Sequence, residues 1–288
     1  MATYPYGMRG GPAVGNALPG IPRRKDGTSP LPAVIYFDSG SGDFRIPGGY
    51  SQGRIVAVGP GGSSSTVSGQ TGGAGGGGLA ATNIVKVSEG DLITYSVGSP
   101  ASPNSTVQGS STTVTFKGYN LVANAGGQVT VTGNPYTGGI GGTASGGDVN
   151  FPGGNGGAGT AGLYGGGGGA AGLGSNGGGG GSASGATPTA PSVISGDLAG
   201  GGGGAYGSSA QAGGGGGSGA KGSPGVDSSN NFIIAPQNIT PTRSSIGLSP
   251  VFTQSSGRVG TNGGQAGGGA SGSGYTGGSG CVRIELFP

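Results

Sequence analysis

The chain has 288 residues, 81 of them Gly and 19 Pro, with only 7% charged side chains and a formal net charge of +3. That Gly and Pro content marks low-complexity chain unless a period accompanies it. So small a charge neither disorders a chain by repulsion nor argues for a nucleic-acid partner. There is no His, no Trp and one Cys. This excludes His/Cys zinc sites, catalytic pairs that need His, and an intramolecular disulfide framework. No cofactor or metal is expected, and the chain reads as a structural or binding protein that is not an enzyme. No run of about 18 apolar residues is present to span a membrane, and the N-terminus lacks the charged-then-apolar order of a signal peptide.

Residues 1–32 carry Pro and Gly throughout, without helical or strand period. The sharper expectation is an extended docking arm that packs on a neighbouring subunit or larger assembly, with Tyr4, Tyr6, Arg23, Arg24 and Lys25 as its contact residues. The plainer one is a loose terminus with a solvated turn at Arg23–Asp26.

Residues 33–133 read as a β-rich frame. Arg54–Val58, Asn83–Val87, Leu92–Val97, Thr112–Lys117 and Gln128–Thr132 are short runs of β-branched residues bounded by Gly, Ser, Pro and Asn, which is the strand signature. Near the other end, Cys281–Leu286 alternates apolar with polar. That predicts a half-buried strand returning to pair with the early ones. No stretch supports a helix of ten residues.

Residues 134–288 are glycine-rich, and the glycines have a period. Taken in threes from Gly153 to Ser182, the first column is Gly in nine of ten triplets and the third in only two. Gly201–Pro224 keeps the same rule and Gly257–Gly280 keeps it loosely. Three residues per turn is the period of the polyproline II helix. Collagen would need Pro in the other columns, and a flexible Gly/Ser linker would show no column preference. The pattern predicts packed polyglycine II helices bonded to one another through backbone N–H and C=O groups, since only Gly allows so close an approach. The expected fold is all-β with little or no α-helix, a small β-sheet frame joined to this bundle.

Polyglycine has no side chains with which to discriminate partners, so specificity must come from inserts. Three stand out: Ser99–Ser111, Ala186–Leu198 and Lys221–Gly257. The longest offers Asn230, Asn231, Gln237, Asn238 and Arg243 for directed hydrogen bonds and Phe232 and Phe252 for flat apolar contact. Its apolar residues could equally form a small core that caps the bundle.

The order RIVAVGPGG, VSEGDLITYSVGS, GGDVNFPGGNGGAG and GGSGCVRIELFP resembles the glycine-rich tip domain of bacteriophage tail fibres. The resemblance spans about Asp43 to Pro288. It departs from the family at Gly59-Pro60, where an uninterrupted glycine run is usual, and in the long Lys221–Gly257 insert. It implies a receptor-binding adhesin of the virion, made in the host cytoplasm. Its partners would be a glycan or outer-membrane protein on the bacterial surface and other tail proteins through the arm. A homotrimer is the oligomer it implies. A purely structural virion fibre is the alternative, and an ice-binding protein the third reading. Asp38 with Asp43, and Glu89 with Asp91, fall at predicted turns and are read as backbone partners instead of paired catalytic carboxylates. Cys281 is expected to be a buried small hydrophobe.

Overall fold

The computed structural model describes residues 30–64, 72–103, 105, 107–129, 136–160, 163–182, 206–207, 225–226, 232–234, 267–270 and 274–288. Among these residues there is no helix. The strands are β1 (Ala33–Phe37), β2 (Ser41–Arg45), β3 (Gln52–Val58), β4 (Leu79–Ala81), β5 (Val85–Lys86), β6 (Leu92–Ser96), β7 (Thr112–Phe116), β8 (Tyr119–Ala123), β9 (Ala144–Ser145) and β10 (Val149–Phe151). They continue with β11 (Leu163–Tyr164), β12 (Tyr206–Gly207), β13 (Gly225–Val226), β14 (Phe232–Ile234) and β15 (Cys281–Phe287). All pairings are antiparallel. One sheet runs β1-β15-β3-β4-β10, with β5 also on β3, and the other runs β2-β6-β7-β8-β9. The short strands β11 and β12 pair, as do β13 and β14.

The two larger sheets face each other across one apolar core. Ile35 and Phe37 of β1, Ile55 and Ala57 of β3, and Val282, Ile284 and Leu286 of β15 meet Phe44, Ile93, Tyr95, Val114, Phe116 and Leu121 of the second sheet. Phe37 stacks on Tyr95 at 4.0 Å between centroids and meets Phe44 edge-on at 6.1 Å. β-branched and aromatic residues at every second position supply this face, as period-2 alternation requires. Lys117 (φ 44) and Gly118 (φ 85) make the two-residue turn between β7 and β8, the left-handed geometry that tight hairpins use.

Three expectations need correction. β15 is buried on both faces, not half-buried, because it lies between β1 and β3 with its Arg283 and Glu285 side also covered. The run at Asn83 narrows to Val85–Lys86. Gln128 and Val129 are not strand; the chain there has already left β8 and bonds to glycine segments on both sides. Residues 130–132 of that predicted run lie outside the described residues.

At one end of the sandwich the strands run on into glycine. β3 continues into residues 59–64, β8 into 124–128 and β10 into 152–158, while β4, β9 and β15 emerge from 72–78, 138–143 and 274–280. Segment 72–78 lies at the centre of the resulting web. Gly73 and Gly76 donate to Gly157 and Gly154, and accept from Gly139 and Gly142. Ala74 and Gly77 donate to Ala270 and Gly267, and accept from Gly168 and Ala171. Gly75 and Gly78 donate to Gly127 and Asn124, and accept from Gly62 and Gly59. Each third residue thus returns to the same neighbour, and six segments surround the central one. Those six are also bonded around the ring, for example Gly126 N to Pro60 O, Gly127 N to Ile140 O, Gly156 N to Gly139 O, Gly157 N to Gly166 O, Gly269 N to Gly168 O and Ala270 N to Gly62 O.

The sequence columns map onto this web. First-column Gly153 and Gly156 bond to segment 138–143, and a Cβ on either would land on the carbonyl of Gly76 or Gly73. Second-column Gly154 and Gly157 bond to segment 165–171, and a Cβ there would strike Gly178 or Gly181. Third-column Asn155 is exposed and Ala158 half-buried. Glycine is required where backbone meets backbone, and side chains return where the segment faces water.

Candidate functional site

Loops carried on a backbone-bonded scaffold are where recognition residues concentrate, which directs attention to them first. Of the three inserts, Ser99–Ser111 is described except at residues 104 and 106. It is fastened at both ends. Ser99 N donates to Ser110 Oγ at 2.9 Å and Ser110 N to Ser99 O at 3.0 Å. Its body is clamped onto glycine segments: Ser63 Oγ donates to Ala101 O at 2.5 Å, Gln108 Nε2 to Ala125 O at 2.7 Å, and Ser111 Oγ to Asn124 Oδ1 at 2.7 Å. Gln108 thus satisfies a carbonyl at the edge of the lattice, while Ser63 and Gln128 of the glycine segments satisfy carbonyls of the loop. At the tip Val107 is 71% exposed.

Beneath the loop, Thr112 is fully buried and its Oγ1 accepts the N–H of Gly98 at 3.0 Å, while Gly98 O accepts from Gly280 N at 3.0 Å. Thr112→Val keeps the shape but strands that N–H, which should cost about 1–3 kcal/mol. Chemical denaturation of the two proteins measures it, with Thr112→Ser expected to recover most of the loss.

Of the residues singled out in the longest insert, Phe232 opens β14, opposite Val226 of β13. Asn230, Asn231, Gln237, Asn238, Arg243 and Phe252 lie outside the described residues, as do insert Ala186–Leu198 and the arm residues Tyr4, Tyr6, Arg23, Arg24 and Lys25. Asp43 lies within β2 and not at a turn, and its partner is a side chain on the next strand of the sheet, whereas Asp91 bonds backbone before β6 as expected. Asp43 accepts from Thr94 Oγ1 at 2.7 Å, and Asp91 accepts from Ser88 N at 2.6 Å and pairs with Lys117 at 2.6 Å. Slight burial works to raise the Asp91 pKa, yet the bonds from Lys117 and the Ser88 N–H prevail and hold it below the usual carboxylate value. Among the described residues no cluster of Cys, Asp or Glu could hold a metal ion.

Two features of the described surface and interior escaped the sequence reading. On the outer face of the first sheet Arg283 and Glu285, 2% and 0% exposed, form an ion pair, with Arg54 at 3.7 Å from the carboxylate and the Tyr36 ring 5.9 Å from the guanidinium. Burial pushes the neighbouring Cys281 thiol up to about 12, against the pull of Arg283, so the thiol is an inert packing group. The other feature is a column of exposed residues at Thr137, Ile140 and Thr143. Its signal is in the sequence, as Thr-Gly-Gly-Ile-Gly-Gly-Thr, the same triplet rhythm one segment earlier.

No family model matches the chain, and no curated protein matches it. What the arrangement offers chemically is a backbone-bonded glycine web whose described exposed side chains, such as Thr137, Ile140 and Asn155, are neutral, with the described charged side chains confined to the sheets and their turns.

Proposed function

We propose that the chain is the receptor-binding tip of a tailed-phage fibre, a non-enzymatic adhesin of the virion that attaches to the bacterial surface. The observation that carries this reading is segment 72–78 with its six bonded neighbours. Together with the triplet glycine column it supports a polyglycine II bundle, the scaffold on which the resembling phage adhesins carry their loops. Such a body orders its surface before any partner arrives, so little conformational entropy is lost on binding. The receptor is a surface glycan or outer-membrane protein. The arm, residues 1–32, docks the fibre onto other tail proteins, and the working unit is a homotrimer.

The experiment is adsorption competition. Purified protein should bind host cells and, in excess, block infection by the phage that carries it. The same protein lacking residues 1–32 should still bind cells but no longer join the tail. Protein that assembles into the tail yet neither binds cells nor competes would leave a purely structural fibre as the role.

A further inference from the structure

Among the described residues the bonding web has an uncovered flat side. Segment 152–158 bonds to 138–143 on one flank, through Gly153 N to Gly142 O and Gly156 N to Gly139 O. On the other flank it bonds to 176–182, through Gly177 N to Pro152 O and Gly180 N to Asn155 O. Segment 176–182 also bonds to 165–171, through Gly169 N to Gly178 O. It therefore fills the notch between two neighbouring members of the six-fold ring. In a hexagonal array that position is collinear with 138–143 and 152–158, so the three segments form a plane.

Exposure along this plane recurs every third residue: Thr137, Ile140 and Thr143 on the first segment, Pro152 and Asn155 on the second, Asn176 on the third. Other described segments of the web are more covered. Residues 59–64 are buried under the 99–111 loop, and residues 165–170 and 267–270 are buried as well. The registers Gly142 with Gly153 and Gly139 with Gly156 bring Ile140 beside Asn155, and Thr143 beside Pro152. With about 3.1 Å of rise per residue in a three-fold helix, successive rows stand about 9.3 Å apart. Ile140 sits in the middle row and is 73% exposed.

None of these positions carries a charge. The plane therefore exerts no pull on an anionic polymer and pays no cost for desolvating ions against a neutral one. Hydroxyl and amide groups alternate with the apolar surfaces of Ile140 and Pro152, which suits a partner whose own surface mixes hydroxyls with C–H faces. The repetition suits a partner that itself repeats, since several weak contacts on one chain multiply into useful avidity. We propose that this plane binds a neutral polysaccharide of the host surface. The inference rests on the adhesin reading above and names its ligand class and a face of the body, away from the inserts.

The test uses the full-length protein on an array of neutral bacterial polysaccharides with anionic ones alongside, and in parallel on host cells. The wild type should bind at least one neutral polysaccharide. Ile140→Asp and Thr137→Asp should each weaken that binding at least tenfold, with unchanged circular dichroism and melting temperature. Val107→Asp, on the loop, should bind as the wild type does. Cell binding that survives Ile140→Asp undiminished overturns the plane as the receptor face while leaving the adhesin reading intact. Polysaccharide binding that depends on Ile140 without any cell binding overturns the adhesin reading alone. Binding to no neutral polysaccharide, preference for anionic ones, or shaping of ice crystals lost in Ile140→Asp would overturn the proposal.

Discussion

Replacing Gly156 with alanine should destabilise the protein by about 3 kcal/mol or more, although the change adds one methyl group at a residue with no unusual backbone angle. A Cβ on Gly156 lands on the carbonyl of Gly73. That carbonyl belongs to the central segment and accepts the N–H of Gly139. Overpacking a well-filled site costs about 1–3 kcal/mol when neighbours can shift. Here the neighbours are main chain, each held by bonds to further main chain, and every bond lost adds about 1 kcal/mol. Gly90 supplies the contrast. It has φ 82 and nothing within 4 Å of its would-be Cβ, so Gly90→Ala should cost only the left-handed strain of about 1–2 kcal/mol. Thr137→Ala, on the exposed column, should stay within about 0.5 kcal/mol. Urea unfolding of the three variants gives the ranking. A loss for Gly156→Ala no larger than that for Thr137→Ala would mean that the web is soft.

Arg283→Met should be the most damaging change in the sheets, at about 3–5 kcal/mol, the usual cost of stripping one partner from a buried ion pair. It removes the nearer of Arg283 and Arg54 from a carboxylate that is fully buried. At the size of this chain that corresponds to a fall in melting temperature of roughly 10 °C. The pair itself is not expected to be worth as much. Among the described residues Arg283 Nε and Nη1 have no hydrogen-bond partner, so part of its desolvation cost goes uncompensated. The double variant Arg283→Met with Glu285→Leu should therefore melt close to the wild type. A double variant as unstable as the single one would show that the pair stabilises the sheet in its own right.

Much of the sandwich was legible because its longer strands obey local rules. Arg54–Val58, Leu92–Val97 and Thr112–Lys117 carry β-branched side chains bounded by turn formers, and they become β3, β6 and β7. β4, β9 and β10 have two or three residues each; their extended form comes from neighbours on the sheet, which no local propensity records. β15 shows the opposite failure. Arg283 and Glu285 have the spacing of a solvent face, and only their pairing with each other lets them be covered. The glycine column was legible as a spacing but not as a set of partners, since Gly156 carries no mark that assigns it to Gly139. For the same reason the plane around Ile140 could not be assembled, because the segments that form it meet only through main-chain bonds. The insert chosen for its side chains, Lys221–Gly257, has in Phe232 only one of its singled-out residues within the described structure.

The position of β15 also sets the order in which the molecule can be built. β1 has no sheet partner but β15 among the described residues, and β15 is the strand that separates it from β3. Cys281, which pairs with Val58, leaves the ribosome more than 200 residues after it. The central glycine segment waits in the same way, since Ala74 and Gly77 are closed by Ala270 and Gly267. A nascent chain must thus carry β1 as an open edge, a ready template for wrong pairing, through most of its synthesis. Loop closures of this length are slow to form, and the chain locks only when its two halves meet, so maturation is a late, all-or-none event with few stable half-built forms.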